Sequence, residues 1–225
     1  MTGASAAQAQ AEWSMPNALH VMNAGGHLSP GLEAEIRSVA QAALTRQAAR
    51  LRLDGVDVAV SVSPWGLPET GIHGYAPLDH LVQITLNPDN PHFAALWRTE
   101  LPATVAHELH HARRWQGPGY GQTLLEALVS EGLAQLNERD ERDGKPPPYA
   151  RADVDLEALW ARALPLLDRS DHNFEAWFYG SDAENLPRWS GYSLGDELVR
   201  RHLAQVGGDA AAHVHTAATA FRTAW

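Results

Sequence analysis

At 225 residues, with 44% hydrophobic and 20% charged residues, the sequence has the balance of a globular protein with room for one sizeable domain. A formal net charge of −10 excludes a general binder of phosphate backbones, which needs clustered Lys and Arg. The absence of cysteine excludes disulfides, Cys-ligated metal sites and thiol nucleophiles.

The Ala/Gln-rich stretch Met1 to Gln10 has neither the basic region nor the apolar core of a secretory signal, so the expected location is the cytoplasm. No apolar run approaches the roughly 20 residues that span a bilayer, so no membrane contact is expected. Residues 1–26 read as an irregular or mobile segment. Ser29-Pro30 then marks a helix start, with Ser as N-cap and Pro in the first helical position. Leu32, Ile36, Val39, Ala40, Ala43 and Leu44 continue it at helical spacing to about Leu51.

Val56, Val58, Val60 and Val62 alternate with polar or small residues and predict a half-buried strand. A second strand is predicted at Leu81–Leu86 and a short third one around Gly71–Tyr75, before the breaker Asn87-Pro88-Asp89-Asn90-Pro91. From about Leu101 the pattern turns helical. Helices are predicted from Pro102 to about Trp115, from Thr123 to about Arg139 (Thr123 and Glu126 fit a capping box), at Asp153–Leu167, at Leu194–Val206 and at Asp209–Phe221. Asn137 to Pro148 reads as a solvated loop. No repeat or composition shift divides the chain, so one α+β domain over 1–225 is expected, a small N-terminal sheet region followed by a mainly helical half.

The chemistry is concentrated in His107-Glu108-Leu109-His110-His111, which fits H-E-x-x-H. On a helix, two histidines four residues apart stack on one face, with Glu108 beside them and Val105 and Leu109 turned to the core. Catalytic zinc takes three protein ligands and keeps a position for water. The extended form with a third histidine fails, because Arg114 and Gly117 occupy the positions of its glycine and histidine. A carboxylate on the next helix remains. Glu126 is already explained as a capping partner. Glu131 lies on a stripe with Ala127, Leu128 and Ala134, where an unpaired carboxylate is costly to bury, so it is the expected third ligand. His110 points to one side of the pair and reads as a supporting or exposed residue.

His107, His111 and Glu131, the last twenty positions after the second histidine, resemble the gluzincin arrangement of thermolysin-like zinc peptidases. More narrowly, Thr104–His111, the Ser130-Glu131-Gly132-Leu133-Ala134 stretch and the later Trp177–Gly180 and Leu186–Gly195 segments are similar to a bacterial domain family of predicted zinc-dependent proteases, over roughly residues 70–206. The resemblance implies a zincin-like fold, Zn2+ as cofactor and a peptide or protein substrate. In such a site zinc activates a water, and Glu108 takes its proton and delivers it to the leaving amine. An oxyanion donor is also needed; Tyr192, in the turn Ser190-Gly191-Tyr192, is the candidate, with Tyr179 and His172 as rivals. The strand holding Gln83, Ile84 and Thr85 precedes the zinc helix as substrate-binding edge strands do in gluzincins, so a peptide is expected to pair with it. The alternatives are a zinc-binding regulatory protein without catalysis and a zinc hydrolase of a non-peptide amide or ester.

Overall fold

The computed structural model describes residues 15–225. Its elements run β1 (Ala18–Met22), α1 (Pro30–Leu51), β2 (Asp57–Val62), β3 (Ile72–Leu78), β4 (Leu81–Leu86), α2 (Phe93–Trp115), α3 (Leu124–Glu138), α4 (Leu156–Ala163), α5 (Phe174–Tyr179) and α6 (Ser190–Val206), with 3-10 turns among the later helices. A sheet at the start and helices thereafter make the α+β class expected from the sequence. No helix among the described residues is long and apolar enough to cross a membrane.

The four strands lie in the order β1-β2-β4-β3. β1, β2 and β4 are parallel, and β3 runs antiparallel to β4 with a register irregularity between Tyr75 and Leu78. Part of the stretch expected to be irregular up to residue 26 is therefore an edge strand, while residues 1–14 lie outside the described ones. Ala18 to Met22 lacks clean alternation, and its pairing with Asp57 to Ser61 makes it a strand.

The buried apolar residues form two clusters. One holds α1, the sheet and the sheet-facing side of α2, including Ile36, Val60, Ile84, Val105 and Leu109. The other gathers α3 to α6 with the C-terminal segment, including Leu128, Trp177, Leu194 and Phe221. α2 and α3 pack against each other between them.

α2 begins nine residues earlier than the sequence suggests, and Pro102 sits inside it. An interior proline costs about 3 kcal/mol or more. Phe93, Trp97 and Leu101 extend the buried face of Val105 and Leu109 back through that point. At about 1.5–3 kcal/mol for each buried large apolar side chain, their burial offsets the proline. The end of the chain also departs from expectation: residues 210–215 form turns, and a 3-10 helix follows at Ala218–Ala224. Side chains of α2 take the backbone carbonyls that a helix there would use. His110 Nε2 lies 3.2 Å from Ala210 O, and Arg114 donates to Val214 O and Thr216 O at 2.8 and 3.1 Å. His110 is thus fully buried against the C-terminal segment rather than exposed beside the paired histidines.

Candidate metal centre

The site grows from the contact of α2 with α3. Gly121 (φ 95°) in the turn between them adopts a backbone conformation suited to glycine and makes room for Glu126, which accepts from Gln122 N and Thr123 N at 2.9 Å each. That closes the capping box expected of Thr123 and fixes the start of α3. Leu124 N and Leu125 N, which have no partner within the helix, donate to Arg169 O and Leu167 O. Farther along, Asn137 Nδ2 donates to Ala106 O at 3.0 Å and ties α3 to the turn that carries His107.

With the helices so placed, His107, His111 and Glu131 come together, all three buried, their ligand atoms within 4.8 Å of one another. Nε2 of His107 lies 3.0 Å from Nε2 of His111 and 3.2 Å from Glu131 Oε2, and Nε2 of His111 lies 3.5 Å from Glu131 Oε1. A tetrahedral ion with ligands at roughly 2.0–2.1 Å separates them by about 3.3 Å along each edge. Two imidazoles and a carboxylate at such separations could hold a zinc ion between them. No other His, Asp or Glu joins the group among the described residues, which leaves a coordination position for water.

The outer imidazole nitrogens face oxygens, as supporting groups do at metal-ligating histidines. Ser130 Oγ is 3.4 Å from His111 Nδ1, placed to accept from it. Glu138 Oε2 is 3.8 Å from His107 Nδ1, and neither atom has a hydrogen-bond partner. Glu138 accepts from Tyr149 Oη at 2.5 Å through its other oxygen. Arg142 donates to both oxygens of Glu100 at 2.7 and 2.6 Å and approaches Glu138 at 3.8 Å. The stretch expected to be a solvated loop thus starts as the end of α3, continues as a 3-10 turn at Arg139–Arg142 and holds a buried ion pair. Its charges read as solvated in the sequence because their partner, Glu100, lies 42 positions away.

Electrostatics match this arrangement. Burial disfavours the charged form of Glu131, but the imidazoles of His111 and His107 outweigh it and hold the carboxyl well below the usual range. Burial likewise pulls His107 down, and Glu131 and Glu138 outweigh it and hold the ring well above its ordinary value. For Glu108 burial dominates and pushes the carboxyl up, the direction a proton acceptor requires.

His107, Glu108, His111 and Glu131 line a cavity of ≈ 440 Å³, within the range of small-molecule sites. Glu108 lines it on the α2 side, and Tyr192, at the start of α6, on the other. Burial, then the charge of Glu131, push the Tyr192 phenol well up, so it stays a protonated donor. Gln135 Nε2 donates to Tyr192 O at 3.1 Å and links this residue to α3. Tyr179 also lines the cavity; His172 does not, and its Nδ1 lies 3.1 Å from Arg169 O.

Gln83, Ile84 and Thr85 are not at an edge. β4 pairs with β2 on one side and β3 on the other, and none of the three lines the cavity. Their partners on β3 are Tyr75, Gly74 and His73, which do line it. The expectation failed because chain order placed β4 nearest the zinc helix, whereas the antiparallel return puts β3 outermost. Trp115 Nε1, donating to Ala76 O at 2.9 Å, holds the end of α2 to β3.

The sequence reading missed Tyr120, Ser130, Glu138 and Gly74. Tyr120 Oη donates to Glu131 Oε1 at 2.6 Å from the turn before α3. Glu138 carried a signal: seven positions after Glu131, it lies two turns along the same face. Ser130 stands in the Ser130–Ala134 stretch that resembles the family, directly before Glu131, while Gly74 carried no signal, since nothing local distinguishes it.

Compared with curated proteins, the chain finds no match. A family model does match, over residues 36–223, a span wider than the motif segments alone, and its description is "Predicted Zn-dependent protease (DUF2268)". The chain belongs to this family of predicted zinc-dependent proteases.

Proposed function

We propose that this protein is a zinc-dependent peptidase in which His107, His111 and Glu131 hold the metal and Glu108 is the general base. The observation that carries the reading is the convergence of two Nε2 atoms and one carboxylate, 3.0–3.5 Å apart, on a cavity that Glu108 also lines. Zinc bound there would supply Lewis acidity and lower the pKa of a water. Glu108 accepts the proton of the attacking water and passes it to the leaving amine. Its raised proton affinity suits both steps. Tyr192 donates a hydrogen bond to the carbonyl oxygen as negative charge develops there. An extended substrate lies along β3, which takes the place first assigned to β4.

The three-ligand set favours catalysis over a purely structural site, which would be closed by a fourth protein ligand. Because the metal group joins residues from between the two apolar clusters, we read the chain as one domain. The test is Glu108→Gln. It should keep about one zinc per chain while kcat/KM on a peptide library falls by roughly 10²–10⁴. Full activity in that variant removes Glu108 as the base, and a protein that takes up no zinc removes the reading altogether.

A further inference from the structure

Apart from the ion that His107, His111 and Glu131 would hold, the cavity offers no spare charged group for the end of a chain. Among the described residues that line it, the only guanidinium or ammonium group is Arg142, and both oxygens of Glu100 already accept from it. Its carboxylates are that same Glu100, the proposed ligand Glu131, and Glu108, which must be free to accept a proton. Arg188, the chain neighbour of the lining residue Trp189, pairs with Glu69 at 3.1 Å and lies over the Trp189 ring. Burial disfavours the charged form of half-buried His73. A free carboxylate or ammonium drawn into such a place loses its water and gains no partner, which is costly.

What the cavity does offer is aromatic surface. The sequence has five tyrosines, and all of them, Tyr75, Tyr120, Tyr149, Tyr179 and Tyr192, line this one cavity. Three of the rings are in direct contact range, Tyr149 lying 5.0 Å from Tyr192 and Tyr192 6.4 Å from Tyr179, and Phe174 links Tyr120 to Tyr179 at 6.2 and 6.5 Å. Tyr75, Trp115 and Tyr179 also line the cavity and remain 57%, 40% and 40% exposed, so part of the wall opens to an incoming chain. Rings at these separations pair favourably with a further aromatic ring, and Trp and Tyr present large rigid surfaces at little entropic loss.

We propose that the cavity takes an internal segment of a peptide chain, with a large aromatic or apolar side chain seated against the tyrosine wall, so that the enzyme is an endopeptidase. This rests on the peptidase reading and narrows its substrate class. In the reaction the amide C–N bond breaks, and water supplies the hydroxyl of the new carboxyl end and the proton of the new amino end.

The experiment compares four peptides with the zinc-loaded protein. Ala-Ala-Phe-Phe-Ala-Ala is offered free and with acetyl and amide blocks, and all-alanine partners are offered in the same two forms, with products identified by mass spectrometry. Expected are cleavage of the blocked aromatic peptide at an internal bond, with kcat/KM no lower than for the free form, and a loss of at least about tenfold on replacing Phe by Ala. Tyr75→Ala should raise KM for the aromatic peptide more than for the alanine one. Cleavage that requires a free end, single residues released from an end, or equal rates for Phe and Ala peptides overturns the proposal while leaving a peptidase. Binding is read separately, by tryptophan fluorescence of Glu108→Gln with the blocked aromatic peptide. No turnover of any of the four peptides together with no binding overturns the peptidase reading itself.

Discussion

Gly74 of β3 lies so close to Glu108 of α2 that a Cβ there would stand 2.5 Å from both Cγ and Oε1 of the carboxylate, and 2.6 Å from Cγ2 of Thr104. The outermost strand can approach the zinc helix only because this position has no side chain. Gly74→Ala forces either the carboxylate or the strand to move, and a displacement of about 1 Å in a catalytic group can lower the rate by roughly 10². The three heavy atoms nearest that position belong to Glu108 and Thr104, not to a proposed ligand. Peptidase assays paired with metal analysis should therefore show kcat falling by one to two orders of magnitude, with zinc content unchanged.

Gly132 and Gly195 make a different kind of contact. A Cβ on Gly132 of α3 would overlap the carbonyl oxygen of Gly195 in α6, and one on Gly195 would overlap Leu128 O. The obstacle is backbone, which cannot rotate aside. Gly132→Ala should cost at least the usual overpacking penalty of about 1–3 kcal/mol, lowering Tm by roughly 2–4 °C for each kcal/mol. Since it also pushes on neighbouring Glu131, zinc affinity should fall with stability, unlike in Gly74→Ala. Differential scanning fluorimetry with and without zinc separates the two variants.

Glu138 faces the outer nitrogen of His107 at 3.8 Å. Loss of a carboxylate that orients a metal-ligating histidine typically weakens binding 10–100-fold. Glu138→Gln keeps the volume and removes the charge. A chelator-competition titration should place its zinc affinity within that range below the parent protein, and an unchanged affinity would show that Glu138 does not support His107.

Two imidazoles and the Glu131 carboxylate lie together in buried surroundings. A ligand that binds only the folded state stabilises it by about 2.7 kcal/mol at a hundredfold excess over Kd. Zinc should raise Tm by several degrees, EDTA should reverse the rise, and His111→Ala should abolish it.

Local signals were legible in the sequence. The spacing of His107 and His111 fixes their common face once a helix forms, and the carboxylate on the apolar stripe of α3 pointed to Glu131 by elimination. The structure places these three side chains together. Relationships between distant segments were not legible. β4 precedes the zinc helix in the chain, yet β3 is the outer strand, because strand order depends on a return the sequence does not encode locally. The predicted helix starts only at Pro102, since the burial that carries α2 back through the proline becomes visible only once the helix packs on the sheet. Asp209–Phe221 reads as helical, but His110 and Arg114, about a hundred positions earlier, take the carbonyls there. Gly74 is one glycine among 18 until Glu108 is placed beside it.

The account depends above all on an ion between α2 and α3, and anomalous diffraction at the zinc edge, from crystals of the zinc-loaded protein, tests it directly. The expected result is one strong peak per chain, about 2.0–2.2 Å from Nε2 of His107, Nε2 of His111 and a carboxylate oxygen of Glu131. No peak there, or zinc held elsewhere with Glu131 turned away, would contradict it.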